Sequence, residues 1–165
     1  MKSLLTLIGM LMFTLSMYAQ YVYQAPTGNL SVTFPNEPVY ASQDLEVEGM
    51  NVTMRTYSVT LDTAAFYVAE VTYPASFTAD DVQSVLQRSA KGFFAEFDMD
   101  GGYPTKVYSS GIEGAEYSQM NDSYGISYRI FFYKNTLIQM AAMNYGGYLP
   151  DADLKLFFNS LNIKL

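Results

Sequence analysis

Residues 125–161 read GISYRIFFYKNTLIQMAAMNYGGYLPDADLKLFFNSL, and the spacing of apolar side chains within them decides the architecture. Two strand-like runs, 126–133 and 136–144, flank Lys134-Asn135 and predict a β-hairpin closed by a two-residue loop. In that register opposed residues share a face. Ile126, Tyr128, Ile130 and Phe132 lie against Leu137, Gln139, Ala141 and Met143. Ser127, Arg129, Phe131 and Tyr133 lie against Thr136, Ile138, Met140 and Ala142. Both faces are largely apolar, so the hairpin is expected to be covered on both sides rather than half solvated. After the loop Tyr145-Gly146-Gly147-Tyr148-Leu149, residues Leu154, Phe157, Phe158 and Leu161 recur at i, i+3, i+4 and i+7, one face of a helix over 150–161. Pro150, Asp151 and Asp153 suit its first turn, where backbone amides are unpaired and the helix dipole is positive.

Upstream, Thr78-Ala79-Asp80-Asp81 has the form of a capping box. Val82, Val85, Leu86, Ala90, Phe93, Phe94 and Phe97 then form the apolar stripe of a long helix, about five turns and roughly 28 Å. Residues 98–104, with Gly101, Gly102 and Pro104, end it. Before the helix, 52–61 and 64–73 alternate about Asp62-Thr63 and predict a second hairpin stopped by Pro74. Residues 29–34 alternate and end at Pro35, and 39–47 form a strand with Asp44, Glu46 and Glu48 on its wet side. The lead 20–27 is expected to be extended and weakly anchored. Two more strands fall at 105–110 and 115–119. The chain is therefore α+β: an antiparallel sheet of about six to seven strands with helices packed on it.

Residues 1–19 have the make-up of a signal peptide: Lys2, an apolar run from Leu4 to Leu15, and Ala19 before Gln20. The run is short for a membrane span. Residues 20–165 are read as one domain, exported to the periplasm or beyond, without stable membrane insertion. Lys2 is the only charge in the leader, so its removal takes the formal net charge from -7 to -8. That balance disfavours nucleic acid and anionic membrane, both of which select clustered Lys and Arg. Cys, His and Trp are absent. Without thiol or imidazole, nucleophilic schemes built on them and the zinc sites they ligate fall away.

Of the remaining chemistry, Asp98-Met99-Asp100-Gly101-Gly102 resembles a calcium loop but departs from the EF-hand pattern at Gly102, Tyr103 and Ser109, so no metal or other cofactor is expected. The acid pairs Asp80/Asp81 and Asp151/Asp153 fit helix caps better than a glycosidase dyad. Arg129, the one charge within the strands of the central hairpin, is a candidate for anion binding, with an ion pair as the plainer reading. Fifteen Tyr and eleven Phe are many for 165 residues. Tyr103, Tyr108, Tyr145 and Tyr148 fall in loops or at strand ends, and Tyr beside Gly is an interface composition. Tyr103 and Tyr148 close two Gly-Gly-Tyr triplets, which are expected at the same end of the sheet. Tyr103, Tyr145 and Tyr148 with Arg129 are the candidate binding residues.

Several short segments resemble the PsbP-like superfamily, the fold of photosystem oxygen-evolving accessory proteins and Ran-binding Mog proteins. They are Val32-Thr33-Phe34-Pro35 with Pro38, Tyr67-Val68 with Tyr73-Pro74, residues 111–116, Arg129-Ile130-Phe131, Asn135-Thr136-Leu137 and Phe157-Phe158-Asn159-Ser160-Leu161. The resemblance implies an antiparallel sheet between helical layers, an α/β/α sandwich. It implies binding or assembly rather than catalysis and supplies no catalytic residue. The expected function is a non-enzymatic binding or assembly-accessory domain that engages a protein or envelope component. A small apolar ligand held between helix and sheet, and a carboxylate-dependent hydrolase, are the alternatives.

Overall fold

A computed structural model describes residues 20–26, 28–47, 49–74, 76–147 and 151–164, with side chains in the last segment from Leu154 onward. The leader at 1–19, Glu48 and Tyr148, and the first-turn side chains Pro150, Asp151 and Asp153, lie outside the described residues. In chain order the elements are β1 (Tyr21–Gln24), β2 (Leu30–Phe34), β3 (Val39–Val47), β4 (Met50–Thr60), β5 (Ala64–Thr72), α1 (Ala79–Ala95), β6 (Thr105–Ser109), β7 (Ile112–Met120), β8 (Tyr124–Tyr133), β9 (Thr136–Tyr145), α2 (Asp151–Asn159) and β10 (Asn162–Ile163). The class is α+β, with every strand pairing antiparallel.

β8 and β9 pair from Tyr133↔Thr136 to Tyr124↔Tyr145, the register that a Lys134-Asn135 loop demands. Lys134 takes a positive φ of 55° to make the turn. Around this hairpin a seven-stranded sheet runs in the order β3-β4-β5-β9-β8-β7-β6. One face holds Val52, Val71, Ile126, Tyr128, Ile130, Leu137 and Ala141 beneath α1. Thr78 caps α1: its Oγ1 accepts from the Asp81 amide while Asp81 accepts from the Thr78 amide. Val85, Leu86, Ala90 and Phe94 are the helix's buried residues, and Phe93 stacks on Tyr128 with centroids 4.5 Å apart.

The other face carries Val59, Phe66, Val68, Phe131, Ile138, Met140 and Ala142. It is covered by α2, through Phe157 and Phe158, and by a second, three-stranded sheet of order β1-β2-β10. This second sheet corrects the sequence reading twice. The lead expected to be weakly anchored is tied down over residues 21–24, since all four residues of β1 pair with β2 from Tyr21↔Phe34 to Gln24↔Ser31. The strand at 29–34 belongs to the small sheet and not to the large one, held on its other side by Ile163↔Leu30. Burial explains the arrangement: Leu30, Val32 and Phe34 alternate inward and close over the large sheet's second apolar face. β3 also differs from expectation, because both of its faces are exposed and not only the acidic one.

Among the described residues no helix is long and apolar enough to cross a membrane.

Candidate functional site

Antiparallel register brings the start of β6, the end of β7, the start of β8 and the end of β9 to one end of the large sheet. Thr105 pairs with Glu116, Met120 with Gly125, and Tyr124 with Tyr145. The Gly101-Gly102-Tyr103 loop enters β6 there and Gly146 leaves β9 there, as the two triplets suggested. Tyr103 is 98 % exposed, Met120 51 % and Tyr145 43 %. The strand starts and ends that carry them are three strand spacings apart, about 14 Å, within the reach of one protein interface.

The Tyr103 loop is held by side chains of β7 and of the loop itself. Gln119 accepts the Gly101 amide on Oε1 at 3.2 Å and donates from Nε2 to Asp100 Oδ1 at 2.5 Å. The same Asp100 oxygen accepts the Gly102 amide at 2.9 Å. Gly102 has a φ of 61°, where glycine is least strained, and a Cβ there would stand 2.7 Å from Gln119 Nε2, so a larger residue would push on the clasp. Gln119 first, then the Gly102 amide, hold the Asp100 carboxyl below the usual carboxylate range. The clasp therefore fixes the main chain and leaves the Tyr103 ring in water.

Tyr145 is placed differently, at the outer end of a chain of rings that begins in the core. Phe93 stacks on Tyr128 and meets Phe97 at 5.4 Å; Phe97 meets Tyr124 at 5.5 Å, and Tyr124 meets Tyr145 at 6.1 Å. Each contact is in the range of favourable edge or offset packing. The Tyr145 amide is also bound by Thr63 O at 3.0 Å. Both exposed rings thus stand on rigid backbone, which lowers the ordering cost of using them in an interface.

Beside the Tyr103 loop lies a cleft of about 220 Å³ between α1 and the sheet, walled by Gln87, Lys91, Asp100, Gly102 and Pro104 with Tyr117 as its floor. Its size admits a side chain rather than a drug-sized ligand. A second cleft, about 180 Å³, opens between α1 and the strands at Val47, Met50, Tyr73, Phe77, Val85, Arg88 and Ser89.

The other candidates fall elsewhere. Arg129 sits mid-strand on the face toward α2, paired with Glu116, with its guanidinium 4.8 Å from the Phe158 ring centre and Nη1 3.4 Å from Asn159 Oδ1. It pins α2 to the sheet, its side chain engaged on that face by Glu116, Phe158 and Asn159. Tyr108 lies toward the opposite end of β6, where its hydroxyl donates to Glu113 at 3.2 Å. Asp98 and Asp100 do not converge on a common point with a third acid: among the described residues no group of three or more His, Cys, Asp or Glu is gathered as metal ligands.

Two features escaped the sequence reading. Met120 belongs to the exposed row, but the strand expected at 115–119 stops one residue short of it. Glu70 is 3 % exposed on the face toward the small sheet, opposite Arg55 in register. Its one visible mark is a lone acid in the otherwise uncharged β5. Glu70 Oε1 is a buried side-chain oxygen without a hydrogen-bond partner among the described residues, and the buried Tyr57 and Tyr23 hydroxyls lie close to each other. The rings of Tyr23 and Tyr57 are 4.1 Å apart. Burial pushes the Glu70 carboxyl up, opposed by the positive charge of Arg55. Burial likewise raises the Tyr57 phenol, with Tyr23 and the Glu70 charge adding to it. Glu70 also lines a cavity of about 70 Å³ between the two sheets, with Leu30, Ile138 and Ile163.

Compared with protein-family models, with curated proteins and with solved structures, the chain finds no match in any of the three.

Proposed function

We propose that this chain is an exported, non-enzymatic binding or assembly domain of PsbP-like architecture, and that it engages a protein or envelope component through the Tyr103, Met120 and Tyr145 end of its large sheet. The carrying observation is the 98 % exposure of Tyr103 on a loop clasped by Gln119. A ring left in water on fixed backbone, beside a side-chain-sized cleft, has the composition and rigidity of an interface anchor. The PsbP-like assignment is supported by the broad antiparallel sheet with α1 on one face and α2 on the other. An acidic chain suits a neutral or basic partner surface better than nucleic acid or anionic lipid. Leader removal and export follow from the composition of residues 1–19.

The test is affinity capture from the native envelope with residues 20–165 as bait. A single partner recovered in stoichiometric amount and lost on Tyr103→Ser supports the reading; capture unaffected by Tyr103→Ser contradicts it.

A second reading has its own observation. The cleft of about 180 Å³ between α1 and the strands has Val47, Met50, Tyr73, Phe77 and Val85 among its walls, the place where a small apolar ligand would lie between helix and sheet. It is smaller than the usual range of ligand pockets, about 300–1,000 Å³. Co-purified lipid seen by mass spectrometry, and lost on Val85→Glu, would favour it.

A further inference from the structure

The large sheet ends in two edges of opposite character. At one, β6 is five residues long and carries Lys106 ion-paired with Glu113 at 2.8 Å. Shortness and lysine both discourage the addition of a further strand. At the other, β3 runs nine residues in unbroken register with β4, from Val39↔Ser58 to Val47↔Met50, with neither proline nor bulge. Eight of its residues are exposed and Val47 is half-buried. Its outer rim is about 31 Å of main chain, long enough for a full set of ladder hydrogen bonds.

We propose that β3 is a self-pairing edge. Two copies of the chain join antiparallel about a twofold axis at Gln43, extending two seven-stranded sheets into one.

The occupant follows from the residues of β3 itself. Pairing about Gln43 sets Val39 against Val47 and Ala41 against Leu45 of the second copy, so that the α1 face gains apolar pairs on either side of a central Gln43–Gln43 pair. On the opposite face Tyr40 meets Glu46 and Ser42 meets Asp44. No acid faces an acid, and Asp44 is already satisfied by the Thr53 hydroxyl at 2.8 Å. Moving the axis to Asp44 places that carboxylate directly against its copy, a like-charge pair. Moving it to Ser42 sets Ala41 against Gln43 and leaves Val47 without an opposite residue. One register therefore satisfies both faces, as an isologous interface must.

The chain contains no cysteine, so a single introduced one reports pairing alone. Gln43→Cys, Ser42→Cys and Asp44→Cys are treated with a mild oxidant and run on non-reducing gels, beside sedimentation of the unaltered protein. Only position 43 opposes its own copy. Positions 42 and 44 are offset from theirs by two residues along the strands, beyond the Cα separation a disulfide spans. Gln43→Cys is expected to give about ten-fold more cross-linked dimer than either neighbour, since disulfides fail beyond about 7 Å between Cα atoms. The unaltered protein is expected to sediment as a concentration-dependent dimer. Ala41→Lys should abolish that dimer, and adding Leu45→Glu should restore it by placing Lys opposite Glu twice. Equal cross-linking at the three positions, a maximum at 42 or 44, or a dimer indifferent to Ala41→Lys overturns the proposal.

Discussion

Gln119 and Asp100 are joined by a 2.5 Å hydrogen bond, and through it a strand of the sheet holds the loop that presents Tyr103. Gln119→Ala should release that loop without unfolding the protein. Hydrogen exchange at the Gly101 and Gly102 amides should rise by about ten-fold, while core amides of β8 and β9 stay protected. Asp100 has its carboxyl depressed by this contact, so its contribution is present above the unfolded pKa and lost as pH falls through the folded one. The difference between parent and variant should therefore narrow in acid to what the Gly101–Gln119 bond alone contributes.

Phe94 is fully buried between α1 and the sheet, and Gln87 on the same helix is exposed. Phe94→Ala should cost about 3–5 kcal/mol in denaturant unfolding, and Gln87→Ala under about 0.5 kcal/mol. Equal small losses would mean that α1 is not docked as described.

Gly114 lies opposite Phe131, whose ring occupies the space a Cβ would need, and the Ile130 carbonyl oxygen closes it from another side. Gly114→Ala should destabilise by about 1–3 kcal/mol through forced movement of β7 or of the ring. Wild-type melting behaviour in the variant would show that the ring has room to turn away.

Glu70 gives the pH signature. Its folded pKa is raised by burial, so the folded protein holds that proton more tightly than the unfolded chain does. Stability from this group is full below the unfolded pKa and is lost as pH rises through the folded one. Glu70→Gln, which cannot ionise, should match the parent in acid and melt progressively higher than it toward neutral pH. A difference constant with pH would place the carboxyl in water.

The turn and register of the β8–β9 hairpin were legible because its loop has two residues and both strands are long, so period and turn agree, while the strands run slightly further than expected, to Tyr124 and Tyr145. The capping box of α1 was legible for the same local reason. The small sheet was not. β1 has four residues and β10 two, and Leu30 pairs with Ile163 across most of the chain, so no periodic pattern marks either strand. At the candidate site, glycines beside Tyr103 announced an exposed loop, whereas Met120 lies one residue beyond the strand expected at 115–119. Arg129 was conspicuous as the one charge within the strands of an apolar hairpin, and the helix that supplies Asn159 and Phe158 to it comes thirty residues later. Glu70 stood out less, because an isolated acid in a strand does not say which face it occupies until a second sheet covers it.

Replacement of both described rings, Tyr103→Ser with Tyr145→Ser, tests the proposed recognition end most directly, with capture from the native envelope and thermal melting read on the same sample. Tyr103 touches little of the core and Tyr145 only the outer end of the ring chain. The melting temperature is therefore expected to stay close to the parent's, while capture of the stoichiometric partner is lost. A double variant that melts normally and captures the same partner in full would contradict the assignment of this end of the sheet as the binding surface.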